Sequence, residues 1–144
     1  MSKHIAALSN PRAGQGRGRS AAETTISVLQ GRGAEVRAYA GSSAAETVEL
    51  AVQALREAPS LLVIVGGDGT LSEILDPVLA GEVPMALVPA GTGNDLARAL
   101  GIPRDDPAAA ALIALTGVVQ TIDVGAVHSG GTTRHFLTVA ALGF

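Results

Sequence analysis

The sequence predicts an α/β fold in which a doubly wound, mostly parallel sheet is followed by a β-hairpin. Short apolar segments alternate with amphipathic helical segments along most of the 144 residues, a length typical of one domain. Aromatic residues make up only 2% of the chain. The core must therefore consist of Ala, Val, Leu and Ile, which suits helices packed closely on a sheet.

Six segments have the composition of strands. They are residues 5–8, 35–39, 61–65, 85–88, 118–127 and 135–141. The third segment is apolar at every position, as expected for a central parallel strand that is covered on both faces. The last two flank a loop with Gly130 and Gly131 and predict the hairpin.

Five helices are predicted between these strands. Three of them should begin at capping boxes, formed by Ser20 with Glu23, Ser43 with Glu46, and Thr70 with Glu73. A short helix is expected over residues 96–100, and Asp106 before Pro107 predicts the start of the last one. Pro77 falls inside the third helix and should kink it or end it near Asp76.

The composition excludes several classes of protein. A net charge of −3 and an aromatic content of only 2% argue against a nucleic-acid partner. The absence of Cys excludes disulfides and thiolate metal sites and fits a reducing compartment. The longest apolar stretch, residues 108–119, is too short to span a bilayer, and residues 1–4 lack the apolar core of a signal peptide. We therefore expect a cytoplasmic protein.

A glycine-rich segment directly follows the predicted central strand. It consists of Gly66, Gly67, Asp68, Gly69 and Thr70. Its glycines would allow positive φ angles and close backbone approach, and the N-terminus of the next helix offers N–H groups to a phosphate. Asp68 would repel a bare anion, which indicates contact with a metal ion, a water or a hydroxyl. The alternative is that the segment is only a tight turn and a helix cap.

Two further segments, residues 10–16 and 91–95, follow the first and fourth predicted strands. In the latter, Thr92 can bond a phosphate, whereas Asn94 suits a helix cap as well as a ligand. Three arginines lie in or beside the former: Arg12, Arg17 and Arg19. They could clamp phosphate, face anionic lipid or be merely solvated. Because ligands bind such sheets beyond the carboxyl ends of the strands, all three segments should converge at one edge.

Several other kinds of site are excluded by their missing patterns. No GxxxxGK[ST] sequence is present, and the glycine segments lack the third glycine of a dinucleotide-binding fingerprint. His4, His128 and His135 are scattered, which argues against a His-based metal site or catalytic triad. The glycine segments therefore remain the candidate site.

Taken in order, these segments resemble the diacylglycerol kinase catalytic-domain family, which includes bacterial lipid kinases and their sphingosine-kinase relatives. The resemblance rests on Asn10 and Pro11 with Gly14, and on residues 66–73, 89–98 and 123–125. It spans essentially the whole chain. The Gly-Gly-Asp-Gly-Thr segment alone would also admit NAD kinases, but its combination with residues 91–98 is specific to the lipid-kinase branch.

The resemblance implies transfer of the γ-phosphate of ATP, with Mg²⁺, to a lipid hydroxyl, with diacylglycerol as the expected acceptor in phospholipid metabolism. The implied nucleotide-binding residues are Asn10, Pro11, Arg12, Ala13, Gly14, Gly66, Gly67, Asp68, Gly69, Thr70, Leu71, Ser72, Glu73, Thr92 and Asn94. Asp68 is also the candidate catalytic residue, and no metal ligands are assigned. Where the family often has a Thr near the nucleotide, this chain has Gly41, so Ser42 or Ser43 would have to substitute or the contact is missing.

Other functions stay open at this point: an NAD kinase, a sphingoid-base kinase or a non-catalytic nucleotide-binding module. Members of the family continue into a second, β-rich domain, so residues 1–144 are expected to form the ATP-binding N-terminal domain and to be inactive alone. The complete protein would associate peripherally with membranes to reach its lipid. The apolar run at residues 136–144 would leave a strand uncovered, and we expect self-association through it.

Overall fold

A computed structural model describes residues 4–137 and confirms the α/β class. The strands are β1 (Ile5–Ser9), β2 (Val36–Ala40), β3 (Leu61–Gly66), β4 (Met85–Pro89), β5 (Gly125–Ser129) and β6 (Thr132–Phe136). The helices are α1 (Ala13–Gly31), α2 (Ala44–Arg56), α3 (Asp68–Ala80), α4 (Asp95–Leu100) and α5 (Pro107–Thr116). Strands and helices alternate through β4, as the sequence predicts.

The first four strands form a parallel sheet in the order β2-β1-β3-β4, and β5 and β6 pair as a separate antiparallel hairpin. Leu8 at the centre of the sheet pairs with Tyr39 on one side and Ile64 on the other. The chain adds β2 to one side of β1 and then adds β3 and β4 to the other side. The carboxyl ends of β1 and β3 therefore form the switch point at which such sheets bind ligands.

Helices cover both faces of the sheet, so it is doubly wound. Leu62 and Ile64 of β3 lie in the same apolar cluster as residues of α2 and α3. Val63 and Val65 of the same strand lie in the cluster that includes residues of α1 and α5. Burial of each such side chain is worth about 1.5–3 kcal/mol. Fully apolar β3 is thus central because both of its faces are buried, as predicted.

Two of the three capping-box predictions were wrong. Helix α1 begins at Ala13, is interrupted at residues 14–16 by non-helical φ and ψ angles, and carries Ser20 exposed inside its regular part. Helix α3 begins at Asp68, so Thr70 lies within its first turn. Thr70 is buried against Gly66, where a Cβ atom would come within 2.8 Å of the Thr70 Oγ1. The glycines let the chain turn from strand to helix within a few residues, and each helix therefore starts earlier than its Ser or Thr.

The remaining caps are confirmed. Ser43 Oγ accepts a hydrogen bond of 3.1 Å from the Glu46 N–H at the start of α2. The Glu46 carboxylate in turn accepts from the Ser42 N–H at 2.9 Å. At the start of α5, Asp106 Oδ1 accepts from the Ala109 N–H at 3.0 Å. These signals are local, since each joins residues three or four positions apart.

Pro77 does not end α3, which continues to Ala80. Proline removes the hydrogen bond to the carbonyl of the residue four positions earlier, here the exposed Glu73, whose carbonyl water can solvate. Ile74 and Leu75 remain buried and hold the helix on the core. The packing of α3 therefore outweighs the loss of one bond.

The hairpin strands differ from their predicted bounds. Strand β5 begins at Gly125, because residues 118–124 pair with no neighbouring strand in the described part of the chain. Val118 and Val119 are 88% and 74% exposed, which shows that β-branched residues alone do not make a strand. Strand β6 begins earlier, at Thr132, and residues 138–141 of the predicted strand lie outside the described residues.

The single tyrosine of the chain, Tyr39, supplies a direct test of this fold. Its ring is buried, and its hydroxyl donates to the Glu57 carboxylate. Burial raises the pKa of Tyr39 from 10.0 to about 12, and Glu57 acts in the same direction while Arg37 opposes it. The unfolded chain therefore loses this proton first. The stability that the neutral hydroxyl contributes should be present below pH 10 and be lost as the pH rises towards 12.

A tyrosinate absorbance titration should find a midpoint near 12 in the folded chain and near 10 in urea. Glu57→Gln should lower the midpoint of the folded chain, and Tyr39→Phe should remove this part of the alkaline loss of stability. A folded-state midpoint near that of the urea-unfolded chain would contradict the buried placement of Tyr39.

Candidate functional site

Three loops meet at the carboxyl edge of the sheet: the first loop (residues 10–16, after β1), the second loop (residues 66–70, from the end of β3) and the third loop (residues 90–95, after β4). A Cβ atom on Gly67 would lie 2.7 Å from Gly91 Cα, and one on Gly91 would lie 2.5 Å from Gly67 Cα. A Cβ atom on Gly14 would lie 2.0 Å from the Ala90 oxygen. The expected convergence is present, and side chains at these positions would prevent it.

The glycines of the second loop act differently from the prediction. Positive φ angles occur in the first loop, at Gly14 (57°), Gln15 (62°) and Gly16 (94°), and not within residues 66–70. Gly67 serves close approach, because it contacts the third loop. Gly69 is exposed in the first turn of α3, and a Cβ atom there would meet nothing within 4 Å. The packing of the chain therefore does not require a glycine at this position.

Asp68 joins the second loop to the third. Its Oδ2 accepts from the Asp95 N–H at 2.8 Å, and its Oδ1 accepts from the Leu96 N–H at 3.4 Å. The carboxylate thus caps the first turn of α4, and Asp68 remains half-buried. Sequence reasoning missed this contact because its partners are distant along the chain and are backbone groups, which leave no pattern of residue types.

The third loop is closed by Asn94 and leaves Thr92 open. Asn94 is buried with φ 54°; its Oδ1 accepts from the Gly91 N–H at 3.1 Å, and its Nδ2 donates to the Gly91 oxygen at 3.0 Å. Its side chain is therefore engaged within the loop, neither capping α4 nor free for a ligand. Thr92 is exposed at the tip of the loop. Of the two predicted side chains, Thr92 is the one available to a ligand.

Asn10 shapes the first loop in a similar way. Its Oδ1 accepts from the Arg12 N–H at 3.0 Å, and its carbonyl accepts from the Ala13 N–H at 3.0 Å. Its own N–H donates to the Val65 oxygen at 3.3 Å, which ties the loop to β3. Pro11 lies inside the turn that these bonds close.

A cavity of about 620 Å³ lies beside the first loop. Its lining residues are Pro11, Arg12, Gln15, Gly16, Arg19, Gly41 and Ser42. Gln15 and Gly16 belong to the predicted segment 10–16 but not to the implied nucleotide-binding residues, which end at Gly14, although the alternation of glycine with polar residues at 14–18 is a signal that could have marked them. Ser42 lines the cavity, whereas Ser43 uses its hydroxyl to cap α2. Only Ser42 is thus placed to replace the family's Thr, and its hydroxyl is 3.2 Å from Glu46 Oε1.

The last predicted residues lie along the first turns of α3. Leu71 is buried in the core, and its N–H donates to the Gly67 oxygen at 3.2 Å. Ser72 and Glu73 are exposed on the outer side of the helix. The part of this segment that faces the loops is therefore its start, from Gly67 to Thr70.

A sequence profile described as the diacylglycerol kinase catalytic domain matches residues 4–127. The chain belongs to the diacylglycerol kinase catalytic-domain family. This confirms the resemblance found from the glycine segments, and it covers all three loops.

The relatives of this diacylglycerol kinase family chain are longer proteins. A diacylglycerol kinase of Mycobacterium tuberculosis is 38% identical over 141 residues, which cover 97% of this chain and 46% of that protein. One from Bacillus subtilis is 34% identical over 113 residues, covering 77% and 36%. The crystal structure of a diacylglycerol kinase from Bacillus anthracis matches with a TM-score of 0.76 at 27% identity, covering 94% of this chain and 50% of that one. The chain thus spans about half the length of these relatives.

Two acidic residues, Asp68 and Asp95, lie at the loops. Within residues 4–137, no three His, Asp or Glu side chains cluster as a metal site. The third-loop Asp95 lies near Asp68, and its Oδ1 is 3.7 Å from Arg98 Nη1. Mg²⁺ usually binds one or two carboxylates and completes its coordination with waters and phosphates. Asp68 and Asp95 supply that number of carboxylates at the loops.

No helix in the described range combines the length and the apolar character needed to cross a bilayer.

Proposed function

We propose that this chain is the ATP-binding domain of a kinase that transfers the γ-phosphate of ATP to a lipid hydroxyl, with diacylglycerol as the acceptor. The observation that carries the proposal is the contact of the three loops at the carboxyl edge of the sheet beside its switch point, where Gly67 approaches Gly91 and Gly14 approaches Ala90. Relatives named diacylglycerol kinase support the acceptor. The same family match favours a lipid kinase over an NAD kinase.

The start of α3 supplies the phosphate contacts. The N–H groups of the first residues of a helix have no intrahelical partner, and the helix dipole is positive there. In α3 these residues are Asp68, Gly69 and Thr70, since the Leu71 N–H already donates to Gly67. Gly69 is exposed and its surroundings are open, so a phosphate can approach its backbone closely. Thr92 adds a hydroxyl from the third loop.

The cavity beside the first loop accommodates the remainder of the nucleotide. Its volume of about 620 Å³ lies in the range of small-molecule sites. Arg12 and Arg19 line it and place positive charge beside the first loop. These two guanidinium groups would offset the charge of the polyphosphate.

Asp68 has two roles in this proposal. Its carboxylate holds the amino end of α4, and its charge organises Mg²⁺, a water or the attacking hydroxyl. Asp68 and Asp95 are the residues that would hold Mg²⁺, which when bound neutralises the phosphates. The lipid hydroxyl would reach the loops from a membrane surface, with the protein bound peripherally.

The chain should bind Mg-ATP and Mg-ADP with dissociation constants of tens of micromolar to millimolar, or roughly 4–6 kcal/mol. The test is a titration followed by amide NMR shifts, which should appear at residues 67–70 and at Thr92. A matched pair of variants locates the phosphates: Gly69→Ala and Gly31→Ala both add a methyl group where nothing lies within 4 Å. Gly69→Ala should weaken binding at least about tenfold with its melting temperature held or raised, because alanine suits a helix better.

Gly31→Ala, at the far end of α1, should leave the affinity unchanged. Saturating Mg-ATP that leaves residues 67–70 unshifted, or a Gly69→Ala variant that binds as the wild type does, would contradict the assignment. Binding with no lipid phosphorylation by the full-length protein would favour a non-catalytic nucleotide-binding module instead.

A further inference from the structure

Arg17 links the first and third loops. Its Nε donates to the Gly14 oxygen at 3.0 Å, and its Nη2 donates to the Gly91 oxygen at 2.8 Å. The two carbonyls belong to different loops, and a single guanidinium joins them. Arg12 and Arg19, in contrast, line the cavity on the side of β2. The three arginines that the sequence groups together are thus divided by the fold.

The position of Arg17 depends on glycines on both sides of it. A Cβ atom on Gly14 would come within 2.0 Å of the Ala90 oxygen and 3.0 Å of Arg17 Nε. One on Gly18 would come within 2.1 Å of the Asn10 oxygen. These close approaches bring the start of α1 against both loops, so the guanidinium reaches the two carbonyls at once.

The two carbonyls determine where the neighbouring amides point. In a planar trans peptide, the C=O group and the following N–H group point in opposite directions. The Gly91 oxygen accepts from Arg17 and also from Asn94 Nδ2 at 3.0 Å, so the N–H of exposed Thr92 is directed away from the guanidinium. The Gly14 oxygen orients the N–H of Gln15 in the same way, and Gln15 lines the cavity.

We infer that Arg17 is a positioning residue, which holds the first and third loops in the arrangement that binds nucleotide and does not itself bind phosphate. This inference rests on the proposed function. Its physical basis is preorganisation, since a loop already held in its bound conformation loses less entropy on binding. Lysine cannot replace Arg17, because an ammonium lacks the rigid fork that reaches two separate carbonyls.

The experiment compares Arg17→Ala, Arg17→Lys and Arg32→Ala with the wild type. Arg32 is the matched control, because it is an exposed arginine at the other end of the same helix. Arg17→Ala should weaken Mg-ADP binding about tenfold or more, Arg17→Lys should lose most of the same affinity, and Arg32→Ala should bind normally. In the unliganded protein both Arg17 variants should shift the amide signals of Gln15 and Thr92. The Nε–H signal of Arg17, which donates to the Gly14 oxygen, should keep its chemical shift when Mg-ADP is bound.

Each variant has a result that would contradict the positioning role of Arg17. Normal affinity in Arg17→Ala would overturn the inference. Full affinity in Arg17→Lys would overturn it as well, because it would show that the positive charge of the side chain acts on the phosphate and that the guanidinium fork is not needed. If the wild type binds no nucleotide, the proposed function fails. The positioning role of Arg17 is then judged by the amide signals of Gln15 and Thr92 in the unliganded protein, and unchanged signals in the Arg17 variants would overturn it. If Arg17→Ala does not fold, Arg17→Lys carries the same readouts.

Discussion

Asp68→Asn is expected to lower kcat for lipid phosphorylation at least about a hundredfold while leaving the melting temperature nearly unchanged. The substitution removes the negative charge that we assign to Mg²⁺, water or the attacking hydroxyl. It keeps an amide oxygen in the place of Oδ2, so the 2.8 Å bond from the Asp95 N–H can persist. The measurement is the rate of diacylglycerol phosphorylation by the full-length protein, with thermal unfolding of the same samples.

Two further variants separate catalysis from capping. Asp68→Ala removes both carboxylate oxygens that accept from N–H groups of α4. Besides lowering kcat, it should therefore lower the free energy of unfolding by about 0.5–2 kcal/mol, the usual cost of losing a helix cap. Asp105→Asn removes one charge from an exposed loop away from the site and should change neither quantity. A folded Asp68→Asn protein with full activity would leave Asp68 with its structural role alone.

Gly14→Ala should be the most destabilising of the single methyl additions to the loops. Alanine at a φ of 57° costs about 1–2 kcal/mol. The added Cβ would also lie 2.0 Å from the Ala90 oxygen, and such overpacking costs about 1–3 kcal/mol more. Because the clash pushes the first loop away from the third, nucleotide binding should fall below detection as well. Urea unfolding and Mg-ADP titration would measure the two losses.

Gly16→Ala is the matched control for this prediction. Gly16 also has a positive φ, of 94°, but a Cβ atom there meets nothing within 4 Å. The Gly16→Ala variant should therefore lose only the free energy of unfolding that backbone strain costs, about 1–2 kcal/mol. Equal stability losses in the two variants would mean that the first loop does not pack on Ala90 as described.

The class of fold and the sheet edge at which the three loops converge follow from the sequence. The apolar run of β3 and the amphipathic helices identify a sheet covered on both faces, because the pattern of buried and exposed positions repeats along consecutive residues. Caps such as Ser43 and Asp106 were predicted for the same reason, since their partners lie within one helical turn. The glycine segments marked the converging loops, because strand-to-helix turns that approach one another need residues without a Cβ atom.

The contacts of the polar residues in the loops follow from the tertiary structure and not from the sequence pattern. Asp68 caps α4, Asn94 closes its own loop, and Arg17 joins two loops, and all three bind backbone groups, which are the same in every residue. Packing likewise carries α3 past Pro77. These outcomes depend on groups brought together across the chain, and neither local propensity nor spacing encodes that proximity.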